Sequence, residues 1–196
     1  MRELLTKEDF RYFVNADLYR YNGDISKEAF KKTLKFIPGI KFTYYMRKCE
    51  YLSHQPIYTR PLFYIANAKY NKLKFKYGFD IEYSTKIGPG LHISHWGGVV
   101  INPKAVIGEN CNISHQITIG MDSKEGEDSV PTVGDCVYIA PGSKVFGKIT
   151  VGNDSCIGAN SVVTKDVPQS VTVAGAPATV VSSNDSSGYV KNKYME

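Results

Sequence analysis

The chain has 196 residues, 42% of them hydrophobic, which is enough to bury the core of one moderate domain or of two small ones. Its four cysteines show no metal-type pairing, and no apolar run is long enough to cross a membrane as a helix, so neither a disulfide scaffold nor a membrane protein is predicted. The N-terminus lacks the apolar stretch of a signal peptide, and we therefore expect a cytoplasmic protein.

The net charge of +5 is unevenly distributed along the chain. Residues 1–79 hold 16 Lys and Arg against 7 Asp and Glu, whereas residues 80–196 hold 8 against 12. A basic N-terminal part suits either an anionic partner, such as a membrane surface, or an ordinary solvated helical surface. The second interpretation is the simpler one. No motif predicts a nucleic-acid partner, and nothing in the sequence supports contact with a membrane.

The first third of the chain is predicted to be helical. Thr6 can cap a first helix that ends at Asn22-Gly23, and Ser26 can cap a second helix that ends at Pro38-Gly39. Two further helices are expected from Phe42 to Leu52 and from Pro61 to Lys76. Several aromatic residues in this part either pack between helices, which is the commoner case, or line a sugar site: Phe63, Tyr64, Tyr70 and Tyr77.

An aliphatic residue returns at every sixth position in the middle of the chain. The series is Ile81, Ile87, Ile93, Ile101, Ile107, Ile113, Ile119, Val133, Ile139, Val145, Val151, Ile157 and Val163, with two interruptions. The residue four places later is usually small or β-branched, and glycine often follows the aliphatic residue, which suits a corner with positive φ. Neither a helix nor a simple strand has this period, but a hexapeptide solenoid does.

The repeat predicts a parallel β-helix in which each hexad forms one flat side and the aliphatic residues stack in a buried column. We therefore expect three parts: an α-helical domain over residues 1–77, the β-helix over residues 78–181, and a weakly ordered tail over residues 182–196. The fold is mainly β, with an N-terminal α-helical domain.

The two interruptions are the first places to look for a site, because sites are often built on loops that leave a rigid scaffold. Two residues are added between Ile93 and Ile101, around His95. A longer loop covers residues 120–132. Its middle is acidic, with Asp122, Glu125, Glu127 and Asp128.

Histidine is the side chain best suited to remove a proton at neutral pH. His95 and His115 occupy the same position in their hexads, so they are expected to lie one above the other. Asp80 precedes His95 by fifteen residues, close to one coil, and is either the carboxylate that orients His95 or an unrelated corner aspartate. His92 occupies a different hexad position, so the three histidines need not converge, and no metal site is expected.

Several motifs resemble one known family. They are Phe79-Asp80-Ile81, Ile87-Gly88-Pro89-Gly90, His95, Gly98-Val99-Val100-Ile101, Thr118-Ile119-Gly120, Gly158-Ala159-Asn160-Ser161-Val162-Val163 and Ala174-Gly175-Ala176-Pro177-Ala178. Over residues 78–181 the chain resembles the serine O-acetyltransferase branch of the left-handed β-helix acyltransferases. The left-handed sense of the coil is taken from this resemblance.

The resemblance implies acetyl-CoA as the acetyl donor and a homotrimer with active sites between neighbouring subunits. It assigns His95 as the general base and Asp80 as its orienting partner. Backbone amides at Gly120 and Met121 would stabilise the oxyanion. Further cofactor-binding positions are implied at Ala140, Pro141, Gly142, Ala159, Lys165, Gly175 and Pro177. Ser94 and His115 are expected to contact the acceptor.

Two departures from the family concern the acceptor. Ser94 stands where the family has an aspartate that engages the amino group of serine, and the loop segment 127–131 lacks the Arg-His pair that holds the serine carboxylate. In outline the chain looks like the serine-acetyltransferase-like proteins of polysaccharide biosynthesis, and a neutral sugar hydroxyl is therefore the expected acceptor.

Three alternatives stay open at this point. Serine acetylation for cysteine biosynthesis predicts activity on free serine. A non-catalytic assembly subunit predicts no acetyl-CoA binding, and a zinc hydratase of similar coil architecture predicts bound metal.

Overall fold

The computed structural model of the chain describes residues 3–124 and 126–194. The expectations that involve Met1, Arg2, Glu125 and residues 195–196 lie outside the described residues. Four α-helices and a short 3₁₀ turn at Ile57–Thr59 come first: α1 Lys7–Asn22, α2 Lys27–Phe36, α3 Pro38–Ser53 and α4 Arg60–Tyr77.

The helix ends follow the predicted capping signals, with one exception. Thr6 and Asp9 form a reciprocal capping box at the start of α1, and Gly23 ends that helix in the left-handed conformation. Ser26 caps α2 by accepting from the amide of Ala29 at 3.2 Å. The exception is the start of α3. The second helix ends before Pro38 as predicted, but Pro38 also begins α3, ahead of the expected start at Phe42, because a proline at the first helical position loses no hydrogen bond.

Within the described residues, fifteen short strands follow α4 and wind into a β-solenoid. They are β1 Phe79–Ile81, β2 Lys86–Ile87, β3 His92–Ile93, β4 Val99–Ile101, β5 Val106–Ile107, β6 Asn112–Ile113, β7 Thr118–Gly120, β8 Thr132–Val133, β9 Tyr138–Ile139, β10 Lys144–Phe146, β11 Thr150–Val151, β12 Cys156–Ile157, β13 Val162–Val163, β14 Thr172–Gly175 and β15 Ala178–Ser182. The prediction of a β-helix preceded by N-terminal helices is confirmed.

In the described part of the chain, three sheets form the sides of the solenoid, and their strands are parallel except for one pair in sheet C. Sheet A has the strand order β1-β4-β7-β10-β13, sheet B the order β11-β8-β5-β2, and sheet C the order β15-β14-β12-β9-β6-β3. The last pair, β14 and β15, is antiparallel and closes the coil. In each sheet the strands pair with the aliphatic residues in register, as Ile93 does with Ile113 and Ile113 with Ile139.

The aliphatic column forms the core, as the repeat predicts. Ile81, Ile107 and Ile157 have no exposed surface, and the small residues Ala105 and Ser143 are equally buried beside them. The expected reason for the glycines is wrong, because Gly88 and Gly108 do not have positive φ. A Cβ on Gly108 would lie 2.6 Å from the backbone carbon and oxygen of Gly134, so glycine is needed because neighbouring coils approach closely.

A buried polar cluster joins the helices to the first coil. Arg47 of α3 is fully buried and donates to the carbonyls of Ile87 at 2.7 Å and Gly88 at 2.6 Å. It also pairs with Asp17 of α1, whose carboxylate accepts from the amides of Gly90 and Leu91. The helices therefore hold the chain just before the strand that leads to His95.

The aromatic residues of α4 mostly pack against the core. Tyr70 is buried and its ring lies 5.5 Å from that of Phe42, while Phe63 contacts Tyr83. Tyr64 is the exposed member of the group. Packing, rather than an open sugar site, therefore accounts for this stripe.

The segment after β15 lies along sheet C and returns to the helices. The ring of Tyr189 stacks on that of Tyr138 with a centroid distance of 4.3 Å, and Lys193 pairs with Asp154. Tyr194 packs against Tyr12 of α1. The expected domain boundaries and the expected weak order of residues 182–196 stay predictions.

Candidate active site

His95 and His115 stack at one corner of the solenoid, between sheet C and sheet A. Their ring centroids are 5.5 Å apart and the rings are nearly perpendicular, at 86°. The same corner column continues through Pro141, whose following residue Gly142 donates its amide to the carbonyl of His115 at 3.1 Å. The expectation that the two histidines lie one above the other is confirmed.

The two histidines differ in their surroundings. His95 is exposed, as a group that meets a substrate must be. His115 is partly buried, and its Nδ1 is enclosed without a hydrogen-bond partner among the described residues. A buried ring nitrogen without a partner is costly, so a polar group brought to this corner would be favoured there.

Asp80 lies on the outer face of β1, in the first coil. In the pairing of β1 with β4, Asp80 lies opposite Val100, which follows His95 by five residues. The carboxylate is 70% exposed, and its Oδ1 lies 3.2 Å from Nζ of Lys74. Within residues 3–124 and 126–194 no hydrogen bond joins Asp80 to His95, so its role as the orienting partner stays a prediction.

Ser94 is turned toward the helices rather than toward His95. Its Oγ lies 3.3 Å from Nδ1 of His92, and the ring of His92 lies 4.3 Å from that of Tyr21. Burial, followed by the nearby charges of Arg20 and His95, lowers the pKa of His92 to about 4. His92 is therefore neutral at pH 7, and its Nδ1 lies within hydrogen-bond distance of the Ser94 hydroxyl.

The positions expected to bind the cofactor fall into separate groups. Ala140, Pro141 and Ala159 lie at the histidine corner and help to line a groove of about 430 Å³, together with Asp185 and Tyr189 of the segment after β15. The contribution of Asp185 and Tyr189 to the groove is not predicted from the sequence, which indicates only weak order for residues 182–196.

The second group lies at the other end of the sheet A strands. Lys165 lines a cavity of about 380 Å³ with Asp122, the neighbour of Met121. Gly120 ends β7 and pairs with Phe146 of β10 in the same region. Gly175 ends β14, whose register with β12 places it beside Ala159 of the first group, and Pro177 lies in the turn before β15. One chain by itself does not bring all of these positions to one edge.

No group of three His, Cys, Asp or Glu side chains in the described part of the chain is arranged to hold a metal ion. All four cysteines are free thiols. Among the described helices, none is both long and apolar enough to cross a membrane.

Two contacts between the helices and the first coil are not predicted from the sequence. Lys74 gave no signal, because its distance of six residues from Asp80 matches no motif. Tyr21 was assigned only to a helix, yet its hydroxyl donates to the carbonyl of Ile93 at 3.2 Å and accepts from the amide of Ile93 at 3.1 Å. The residue that precedes Ser94 is thus fixed by α1.

The chain is similar in sequence to proteins named serine acetyltransferase. The chain is 37% identical over 151 residues to the serine acetyltransferase of Helicobacter pylori (strain J99), a match that covers 77% of this chain and 85% of that relative. No family model matches the chain.

Solved structures agree with the sequence match. The serine acetyltransferase of Brucella abortus in complex with coenzyme A has a TM-score of 0.75 at 28% identity, covering 91% of this chain and 70% of that one. The serine acetyltransferase of Neisseria gonorrhoeae in complex with serine has a TM-score of 0.73 at 31% identity, covering 91% and 72%.

These relatives overturn the expected acceptor. The prediction of a sugar hydroxyl in polysaccharide or glycoconjugate biosynthesis is wrong, because the relatives are serine acetyltransferases and a solved neighbour holds serine. The absence of an aspartate at position 94 and of an Arg-His pair in the loop is a weak argument, since other residues can bind the amino and carboxyl groups of serine. The chain belongs to the serine acetyltransferase family and is an acetyl-CoA-dependent O-acetyltransferase.

Proposed function

We propose that this protein transfers the acetyl group of acetyl-CoA to the hydroxyl of serine. This reaction belongs to cysteine biosynthesis and is the first of the alternatives left open by the sequence. The observation that carries the proposal is the 37% identity to a serine acetyltransferase over 85% of that relative's length. The solved relatives bind coenzyme A in one case and serine in the other, which are the two substrates the proposal needs.

In this proposal His95 is the general base. Its ring takes the proton of the serine hydroxyl while the oxygen attacks the thioester carbon. The C–S bond then breaks, and the leaving sulfur takes the proton back from His95, so O-acetylserine and CoA are formed without net proton change. Asp80 would hold the ring of His95 in the required tautomer. Amides at Gly120 and Met121 would bind the transient oxyanion.

Serine must be recognised here without the aspartate and the Arg-His pair that bind its amino and carboxyl groups in the family. We propose that His115 contacts the acceptor, because its ring adjoins that of His95 and its Nδ1 is without a partner among the described residues. Ser94 remains a candidate acceptor contact, and its hydroxyl lies 3.3 Å from Nδ1 of His92. An imidazole can donate to a carboxylate, which suits the carboxyl end of serine.

We further propose a homotrimer with each site between two subunits. The separation of the cofactor positions supports this arrangement, since Ala159 lines one groove and Lys165 another. A neighbouring copy that brings its Lys165 edge to the histidine corner would complete the site. The cytoplasmic location stays a prediction.

The test is release of CoA from acetyl-CoA, followed with a thiol reagent, with serine as acceptor and threonine and glycine as controls. Serine-dependent release is expected, and His95→Ala should reduce it by roughly 10²- to 10⁴-fold, the usual contribution of a general base. His54→Ala is the matched control, because His54 is exposed at the end of α3. No serine-dependent release from the wild type would refute the proposal.

A further inference from the structure

Lys74 links α4 to the carboxylate proposed as the partner of His95. It lies in the last turn of α4, and its side chain is only 14% exposed. Its Nζ lies 3.2 Å from Oδ1 of Asp80 and 2.6 Å from Oε1 of Glu82. The ammonium therefore sits between two carboxylates on the outer face of the first coil.

The position of Lys74 is itself well fixed. One turn earlier, Tyr70 is buried, and its hydroxyl donates to the carbonyl of Ile81. The ammonium of Lys74 lies 5.8 Å from the centre of the Tyr70 ring. Burial lowers the pKa of Lys74, but the hydrogen bonds to Glu82 and Asp80 outweigh that effect and leave the pKa raised. Lys74 is thus charged throughout the neutral range.

Asp80 needs such a support. Its side chain is 70% exposed, so packing alone does not select one rotamer. With Oδ1 engaged by Lys74, the second carboxylate oxygen is left to accept a hydrogen bond from another donor. The ring N–H of His95 is the donor that the proposed mechanism requires.

We propose that Lys74 is a positioning residue for catalysis: it holds one oxygen of Asp80 so that the other can orient His95. This inference rests on the proposed function and adds a residue to its machinery. The Lys74–Asp80 ion pair affects catalysis through the position of the Asp80 carboxylate. Its effect on the free energy of unfolding is small, because an ion pair with one largely exposed partner contributes little to folding.

The experiment measures kcat and KM for serine in the Lys74→Met, Lys74→Gln and Lys74→Arg variants. Lys74→Met is expected to lower kcat by at least about 10-fold with little change in KM, since a misplacement of about 1 Å near the reacting groups can cost about 100-fold. Lys74→Arg should restore much of the loss, because it keeps the charge. Lys72→Met is the matched control, a solvent-exposed lysine on the same helix, and should behave like the wild type.

A double-mutant cycle with Asp80→Asn separates the positioning role from a general structural one. If Lys74 acts through Asp80, Lys74→Met should cost less than about twofold once Asp80→Asn is present. An equal loss in both backgrounds would overturn the inference, and so would a Lys74→Met enzyme with normal kcat. Far-UV circular dichroism of every variant shows whether it is folded. A wild type without serine-dependent release would instead refute the proposed function, and the role of Lys74 with it.

Discussion

Arg47 provides the sharpest test of how the helices are attached to the solenoid. Its guanidinium is completely buried and donates to the carbonyls of Ile87 and Gly88 as well as to Asp17. Burial raises the pKa of Asp17, while the charge of Arg47 and the amides of Leu91 and Gly90 oppose that rise. Replacing Arg47 by Met keeps most of the side-chain volume but removes every one of these hydrogen bonds.

The expected loss follows from what the substitution leaves behind. Removing one partner of a buried ion pair costs about 3–5 kcal/mol, because the remaining charge stays in an apolar environment. The carbonyls of Ile87 and Gly88 also lose a donor. We therefore expect Arg47→Met to lower the free energy of unfolding by at least about 3 kcal/mol. Adding Asp17→Asn should recover part of that loss, since the uncompensated carboxylate is then gone.

The assay is urea unfolding followed by far-UV circular dichroism at pH 7 and at one fixed protein concentration, which matters if the protein is an oligomer. The double variant is compared with the two single ones. A loss below about 1 kcal/mol in Arg47→Met would show that the cluster does not carry the attachment. Full additivity of the two substitutions would show that Arg47 and Asp17 do not interact.

Three further predictions concern pH and packing. Because the pKa of His92 is lowered to about 4, stability should fall by about 3 kcal/mol as the pH drops from about 6.5 to 4, and His92→Gln should flatten this slope in unfolding experiments. Burial raises the pKa of Glu50 to about 7, only partly opposed by Arg47, so the contribution of Glu50 to stability is lost as the pH rises from about 4.5 through 7. Glu50→Gln should therefore stabilise the protein by about 1–3 kcal/mol at pH 8 and by little at pH 4. Gly108→Ala should cost about 1–3 kcal/mol, because the new methyl would overlap the backbone of Gly134, whereas Gly188→Ala, with nothing within 4 Å, should be nearly neutral; equal melting temperatures would contradict this.

The hexad repeat predicts the solenoid from the sequence because every coil needs a buried aliphatic residue at the same positions. Ile93, Ile113 and Ile139 occupy equivalent places, so a single rule fixes the core, the sheet register and the stacking of His95 on His115. The reason why position 108 needs glycine could not be predicted from the sequence. Its neighbour in space is Gly134 of the next coil, and only the assembled coils reveal that contact.

The supports of the corner and the acceptor were harder to predict for a different reason. Lys74 and Tyr21 act on Asp80 and Ile93 through contacts between helix and coil, and no spacing in the sequence encodes such a contact. The acceptor was inferred from two charged groups that are missing, Ser94 being one of the positions. A missing side chain shows only that one way of binding serine is absent.

Helix α1 contacts both the first coil and the C-terminal segment, and these contacts help to hold the histidine corner in place. On one side, Asp17 and Tyr21 of α1 bind the backbone of residues 90–93. On the other side, the ring of Tyr194 packs against Tyr12 and Tyr19, with centroid distances of 5.5 Å to each. The carbonyl of Tyr189 also accepts from the side chain of Asn112, in the coil that carries His115. Strands of two or three residues have few hydrogen bonds of their own, so contacts from α1 and from the C-terminal segment reduce the freedom of the coils next to His95 and His115.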